Sequence, residues 1–556
     1  MSYEVAVLVS ILRSLLAGGI CTGLARVLVA WRAGGNQWPM VGSTRRVVKE
    51  SGDPPHPGPL PRDGVISECR VGGGGEGEAG ATDSPFPGAP PCHRASVVHT
   101  LCQFICARQF ISAVILLPFF MPGLVVGYAY RNASLSLVQS PWVNELLYLA
   151  IVVSQLMPVA VLTLEWLPQA DLGPSGVFCL QLVKTAKGRE SFRMRCRALL
   201  AGEFPRLVTT GAAVALLCFQ EVEVATLMQA RGWAEWIFTK QAGGVELVDV
   251  WGALVLPVLY GVGLVVPVLG YWIRRSGQSR GTPSRAHVPR TSSQRAAVRY
   301  GAIVIMGVAW LLTVIWPVIS LVIGAWRGAG VIQLRAAIWR EIGDALVLAV
   351  TVTGLLMLVL WVIGRGQTST TRGPAVSGRR GWAFVIAAGA LLPGLLGSLA
   401  LGLFLFELCQ QIGWQPSYTP VPLVVGMVLF LLPRAIVMQA MLRWGENRPD
   451  LFLAEGLAEH ADHRGHWGAA IMWKLRGAGR FWMLALLFWW SYLELTLPSL
   501  LRPAGMAPAP MRLYNFLHYG HIPGLAAMLV LVLAVPLVLM VGGHWWQSHR
   551  FRTTLR

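Results

Sequence analysis

Residues 221–233 read EVEVATLMQARGW and residues 494–506 read ELTLPSLLRPAGM. Laid over each other without a gap, Glu221 meets Glu494, Leu227 meets Leu500 and Gly232 meets Gly505. Each carboxylate closes an apolar run, GAAVALLCF before Glu221 and FWMLALLFWWSYL before Glu494. A charge at mid-membrane costs about 2.5–3.5 kcal/mol on insertion scales, and less near the interface. Two such costs at matching positions call for a use. The carboxylates could line the mouth of a solute pathway, or pin the Pro/Gly turn that shapes it. Their oxygens would suit a hard cation such as Fe³⁺, and many other cationic solutes. The structural alternative is an interfacial residue, or a cap on the segment that follows. Glu221, Glu494, Gly232 and Gly505 are therefore the candidate pathway or gate residues.

The elements that must hold these residues are apolar. The chain has 556 residues, 54% hydrophobic and 13% charged, with a mean hydropathy of +0.55. Soluble domains carry about 25% charged residues. Stretches of about 20 apolar residues, long enough to cross the hydrocarbon as helix, recur throughout. Strands and loops open to lipid would leave backbone groups unpaired. The expected fold is an all-α polytopic membrane protein. Eleven spans are expected, at 5–28, 108–130, 143–164, 207–227, 247–272, 300–323, 342–364, 384–408, 420–441, 481–501 and 524–543. The first lacks a basic leader and a small-residue cleavage site, so it reads as a retained span rather than a signal peptide.

The net charge of +19 fits topology better than nucleic acid, because Lys and Arg collect in cytoplasmic loops. With the basic tail HRFRTTLR inside, the segments 29–107, 165–206, 273–299, 365–383, 442–480 and 544–556 hold about 34 of the 46 Lys and Arg. The outer loops hold about 8. The N-terminus then lies outside and the C-terminus in the cytoplasm. Residues 33–100 are rich in Gly and Pro with mixed charge, the make-up of a disordered insertion. The nine cysteines form no CxxC pair. Cys102 and Cys106, near Cys92, His93 and His99, fit no standard zinc spacing, and no metal site is expected.

MPGLVVG at 121–127 echoes LPGLLGS at 392–398. Its shift is close to the one that pairs Glu221 with Glu494. Two tandem halves of the same orientation follow: 1–272 with five spans, a basic linker 273–299, and 300–556 with six. The first half lacks a counterpart of span 300–323.

The loop LAEGLAEHADHRGHWGAAIMWKLRGAG contains Glu459, Ala461 and Gly465, with Leu475 ten residues later. It resembles the E-A-A-x3-G-x9-I-x-L-P loop of ABC-importer permeases, a cytoplasmic helix bent at glycine that docks on an ATPase. His460 replaces one alanine, and Gly477-Ala478 stand in place of Leu-Pro. The run ELTLPSLLRPAGMAPAPMRLYNFLHYG resembles the E-L-x-A-T-L-L-L-x-P-P-G and V-R-I-F-N-L-L-H-Y-G runs of the ferric-iron type of binding-protein-dependent permease. EVEVATLMQARGWAEWIFTKQAGG is its first-half version, and SLLAGGICTGLARVLVAWRAG is similar to that family's second span.

The resemblance implies a bacterial inner-membrane, multi-pass permease working by alternating access. Its partners would be two copies of an ABC ATPase and a periplasmic solute-binding protein. Glu459, Ala461, Gly465 and Leu475 would form the ATPase-coupling loop. The chain has no G-x-x-x-x-G-K-[ST] run to cradle phosphate. ATP and Mg²⁺ are accordingly expected in the partner, with no cofactor and no catalytic residue in this chain. The rival readings are a secondary transporter or channel without an ATPase, a divergent permease for another solute, and a polytopic membrane enzyme. The enzyme reading is weakest, for want of a His/Asp/Glu cluster with catalytic spacing. Arg434, inside span 420–441, is expected to snorkel or to pair with a carboxylate, and Glu407 to be solvated.

Overall fold

The structure is a computed structural model. It describes residues 2–35, 114–137, 139–167, 204–242, 247–276, 292–328, 336–369, 392–414, 416, 418–445, 451, 455–456, 471–518 and 522–553. One compact unit comprises Met1–Arg32 and Ile115–Arg556. Ala33–Val114 forms a second and lies almost wholly outside the described residues.

Among the described residues every regular element is helical. In chain order they are α1 (Tyr3–Gly35), α2 (Val114–Phe120), α3 (Gly123–Ser136), α4 (Pro141–Trp166), α5 (Phe204–Phe219), α6 (Glu223–Leu227), α7 (Trp233–Ala242) and α8 (Leu247–Ser276). There follow α9 (Ser292–Trp310), joined by a π-turn (Leu311–Ile315) to α10 (Trp316–Gly328), then α11 (Ala336–Ser369), α12 (Ser398–Gln411) and α13 (Val421–Gly445). Last come α14 (Ala478–Leu493), α15 (Thr496–Leu501), α16 (Ala509–His518) and α17 (Ile522–Thr553).

Among the described residues, six helical stretches are long and apolar enough to cross a membrane: Tyr3–Val29, Pro141–Glu165, Tyr300–Gly328, Ile338–Ile363, Val421–Leu442 and Gly524–Gln547. A bent pair, α2 with α3, makes a seventh if counted as one span. This is the make-up of a polytopic helical membrane protein. Large apolar side chains such as Val304, Val347, Val350 and Val538 are exposed on these stretches, as lipid-facing surfaces require.

Four expected spans are interrupted. The span 108–130 bends by 74° between α2 and α3. Pro122 sits at the bend with extended backbone, where it has no N–H to donate to a continuing helix. The span 384–408 breaks at Gly397, whose φ of 97° favours glycine. The spans 207–227 and 481–501 stop at Phe219 and Leu493 and resume as the short helices α6 and α15. In both cases a glutamate side chain takes up backbone N–H groups that would otherwise have continued the ladder.

Glycines set the closest approach between α1 and α5. A Cβ on Gly18 would lie 2.5 Å from the Gly211 carbonyl oxygen, the small-residue contact that lets two membrane helices pack backbone to backbone.

Candidate functional site

Glu221 follows the end of α5 and caps α6. Its Oε1 accepts the Val224 N–H at 2.7 Å, and its Oε2 accepts the Ala225 N–H at 3.1 Å. The Tyr148 hydroxyl of α4 donates to the same Oε2 at 2.9 Å. Glu494 does the corresponding work after α14: its Oε1 accepts the Thr496 N–H at 3.3 Å, and the Leu497 N–H and the Ser398 hydroxyl stand close enough to interact with it. Helix N-termini leave N–H groups unsatisfied, and carboxylates are favourable there. The sequence-level pairing of Glu221 with Glu494 thus coincides with a shared local role.

Glu223, the second acid of EVEV, reaches farther. It interacts electrostatically with the backbone N–H of Leu495 and with both Glu494 and Arg434. Its carboxylate also lies against Gly123 at the start of α3, where an added Cβ would come within 2.7 Å of Oε2. Arg434, on α13, acts on Glu494 and Glu223 together. Its guanidinium stacks over Phe430 at 4.0 Å and lies 5.9 Å from the Trp490 ring centroid. One cation is therefore shared between two carboxylates.

These contacts join four chain breaks. Gly123 touches Glu223, and the Gln220 side-chain amide donates to the Leu395 carbonyl. Ser398 lies beside Glu494 and interacts with it, and Phe119 and Phe120 pack on Trp490. The breaks after α2, after α5, before α12 and after α14 thus meet at one place. There the charged residues Glu221, Glu223, Arg434 and Glu494 all keep partial accessibility. Their chain neighbours Val222, Val224, Leu493 and Leu495 are buried. The alternation leaves the charged side chains partly accessible and turns the apolar ones into the packing.

The turns beyond the short helices are held in parallel ways. After α6, Gln229 adopts a left-handed φ of 52°. The Ala230 N–H returns to the Ala225 carbonyl at 2.8 Å, closing the helix as left-handed C-caps do. After α15, Gly505 takes φ 91°. Arg13 of α1 donates to the Arg231 carbonyl, and Arg340 of α11 donates to the Gly505 carbonyl at 3.4 Å. The backbone N–H of Arg231 is accepted by Glu145 at 2.7 Å, and that of Ala507 by Asp344 at 3.4 Å. Gly232 and Gly505 differ. Gly505 carries the left-handed turn in open space, whereas Gly232 packs 3.2 Å from the Ser10 hydroxyl as measured from an ideal Cβ. In the first half Gln229 supplies the left-handed residue.

A charged network that sequence reasoning missed surrounds Tyr148. Arg13 lies over its ring at 4.7 Å and pairs with Glu145 at 3.6 Å. Elsewhere in the fold Arg512 pairs with the buried Glu341. Single polar residues inside long apolar helices carry no spacing signal that would have marked them.

Of the expected coupling residues, Glu459, Ala461 and Gly465 lie outside the described residues, as do Cys92, His93, His99, Cys102 and Cys106. Leu475 is exposed on a π-helical turn, Trp473–Gly477, that leads into α14. Glu407 lies near the end of α12 and accepts the Gln411 amide at 3.2 Å in an exposed contact.

No protein-family profile, curated protein or solved structure matches this chain.

Proposed function

We propose that the chain is the membrane-spanning permease of an ABC importer, of the ferric-iron type, built from two tandem halves. The element order supports the repeat. A broken span, a long proline-bearing helix, a helix ending at an acidic break, a short capped helix, a turn, another short helix and a long final helix occur in α2–α8. They occur again from residue 392 through α17. Pro158 and Pro433 lie inside the corresponding helices α4 and α13. By the same correspondence α1 pairs with α11, each sending an arginine to the turn after its short helix. The helix pair α9–α10 is then the extra span of the second half.

The observation that carries the reading is the meeting of the four breaks around partly accessible Glu221, Glu223, Arg434 and Glu494. Ionisable residues at membrane depth mark solute and ion pathways, and broken helices at a repeat interface suit solute sites. In this reading each acidic break lines the pathway. The cytoplasmic segments 165–206 and 442–480 pass on motion from two ATPase copies, and a periplasmic binding protein delivers the solute, ferric iron or a similar cation. Hydrolysis of ATP-Mg takes place in the partner. The test is co-purification of the full chain with its ATPase: wild type retains the subunit, and altering Glu459 and Gly465 releases it. Retention by the altered chain would defeat the coupling assignment.

The sharing of one arginine between two carboxylates favours a second reading, a carrier driven by an ion gradient. Uptake that persists after ATP depletion with the gradient intact would favour that carrier over the importer.

A further inference from the structure

We propose that a cavity between α3, α4, α10 and α17 binds an organic oxyanion, a phosphate or carboxylate on an apolar body. The cavity measures about 480 Å³, within the range of small-molecule sites. Among the described residues its charged lining is Arg131 from α3 and Arg327 from α10, with no acidic side chain. Nη1 of Arg131 is buried without a hydrogen-bond partner among the described residues. A buried donor left unpaired is costly, and a turn of the Arg131 guanidinium toward the cavity would bring it to a ligand oxygen. Arg327 is exposed and stands close enough to act on the Tyr128 hydroxyl. Asn132 and Ser320 add neutral hydrogen-bonding groups, while Trp316 forms part of an aromatic and aliphatic wall.

The chemistry selects the ligand class. Two guanidinium groups match the planar, bidentate geometry of carboxylate and phosphate oxygens. An inorganic anion would leave most of the volume empty and the apolar wall uncovered, so the ligand must carry an apolar part. Arg327 lies in the last turn of α10, where the helix dipole alone would favour it. That explanation does not reach the unpaired Nη1 of Arg131. In the expected orientation both arginines belong to the few basic residues outside, where the positive-inside rule gives no reason for them. This site is separate from the acidic breaks and does not depend on the transport reading.

Two sources could supply such a ligand: a phospholipid headgroup entering from the bilayer, or a water-soluble organic phosphate. The test titrates the purified full chain in non-ionic detergent with dihexanoyl phosphatidylglycerol and, separately, with phenyl phosphate, read by native mass spectrometry. At least one probe should saturate a single site, and R327Q should weaken it by about tenfold. S320W, which fills the cavity, should abolish binding. Saturation by the lipid alone assigns a headgroup site, and saturation by phenyl phosphate alone assigns a soluble ligand. R327Q alters an exposed residue and should elute like wild type. Unchanged binding in that variant, or no saturation by either probe, overturns the proposal.

Discussion

The carboxylate of Glu223 stands close enough to the backbone N–H of Leu495 to interact with it, joining the acidic break after α5 to the one after α14. The same carboxylate shares Arg434 with Glu494, so the charge balance of each break depends on the other. Removing Arg434 leaves two carboxylates without their cation. R434Q should lower stability by about 1–3 kcal/mol, the cost of leaving partly accessible charged groups without their partner. Adding E223Q and E494Q to R434Q should recover part of that loss. Thermal unfolding of the detergent-solubilised chain reads both effects. An R434Q chain as stable as wild type would show that Arg434 is solvated.

Glu221 holds three donors, two from the backbone and one from Tyr148. E221Q keeps a carbonyl acceptor but loses the charge and the second oxygen. E221Q should cost about 1–3 kcal/mol and Y148F about 1 kcal/mol. The double variant should cost at least about 0.5 kcal/mol less than the sum, because both changes remove one shared bond. Strict additivity would separate the hydroxyl from the cap.

Gly18 and Gly19 make an internal comparison. A Cβ on Gly18 meets the Gly211 carbonyl at 2.5 Å, whereas one on Gly19 meets nothing within 4 Å. G18A should destabilise by about 1–3 kcal/mol through overpacking. G19A should be neutral, or stabilising by up to about 1 kcal/mol from helix propensity. Equal effects in a thermal-shift assay would mean that α1 and α5 do not pack as described.

The two turns after the short helices differ at their left-handed residue. Glycine adopts the φ of 52° found at Gln229 without the Cβ penalty, so Q229G should stabilise by about 1 kcal/mol. G505A should destabilise by a similar amount. A Q229G chain less stable than wild type would place Gln229 in a right-handed conformation.

The helical class of the fold was legible because membrane helices announce themselves by length and apolarity alone. Most of the long helices contain the stretches expected of them, from 5–28 in α1 to 524–543 in α17. The interruptions were not legible, because hydropathy does not distinguish a straight apolar run from one broken by a side-chain cap. Phe219 illustrates the point. It ends the run GAAVALLCF, and nothing in that run signals that its carbonyl receives the Trp233 indole N–H at 3.0 Å. The match of Glu221 with Glu494 is readable from the direct overlay, and both cap the helix that follows. Glu223 carries no such mark, since its partners Leu495, Glu494 and Arg434 lie far along the chain. Gly232 and Gly505 align in sequence, yet a shift of the turn gives the left-handed conformation to Gln229 in one half and to Gly505 in the other.

If two halves of like orientation meet at the acidic breaks, the loops 165–206 and 442–480 lie on the same side of the membrane. Reporter fusions inserted within each loop of the full chain, read for cytoplasmic or external exposure, test this most directly. Both reporters on the cytoplasmic face is the predicted result. Reporters on opposite faces would contradict it.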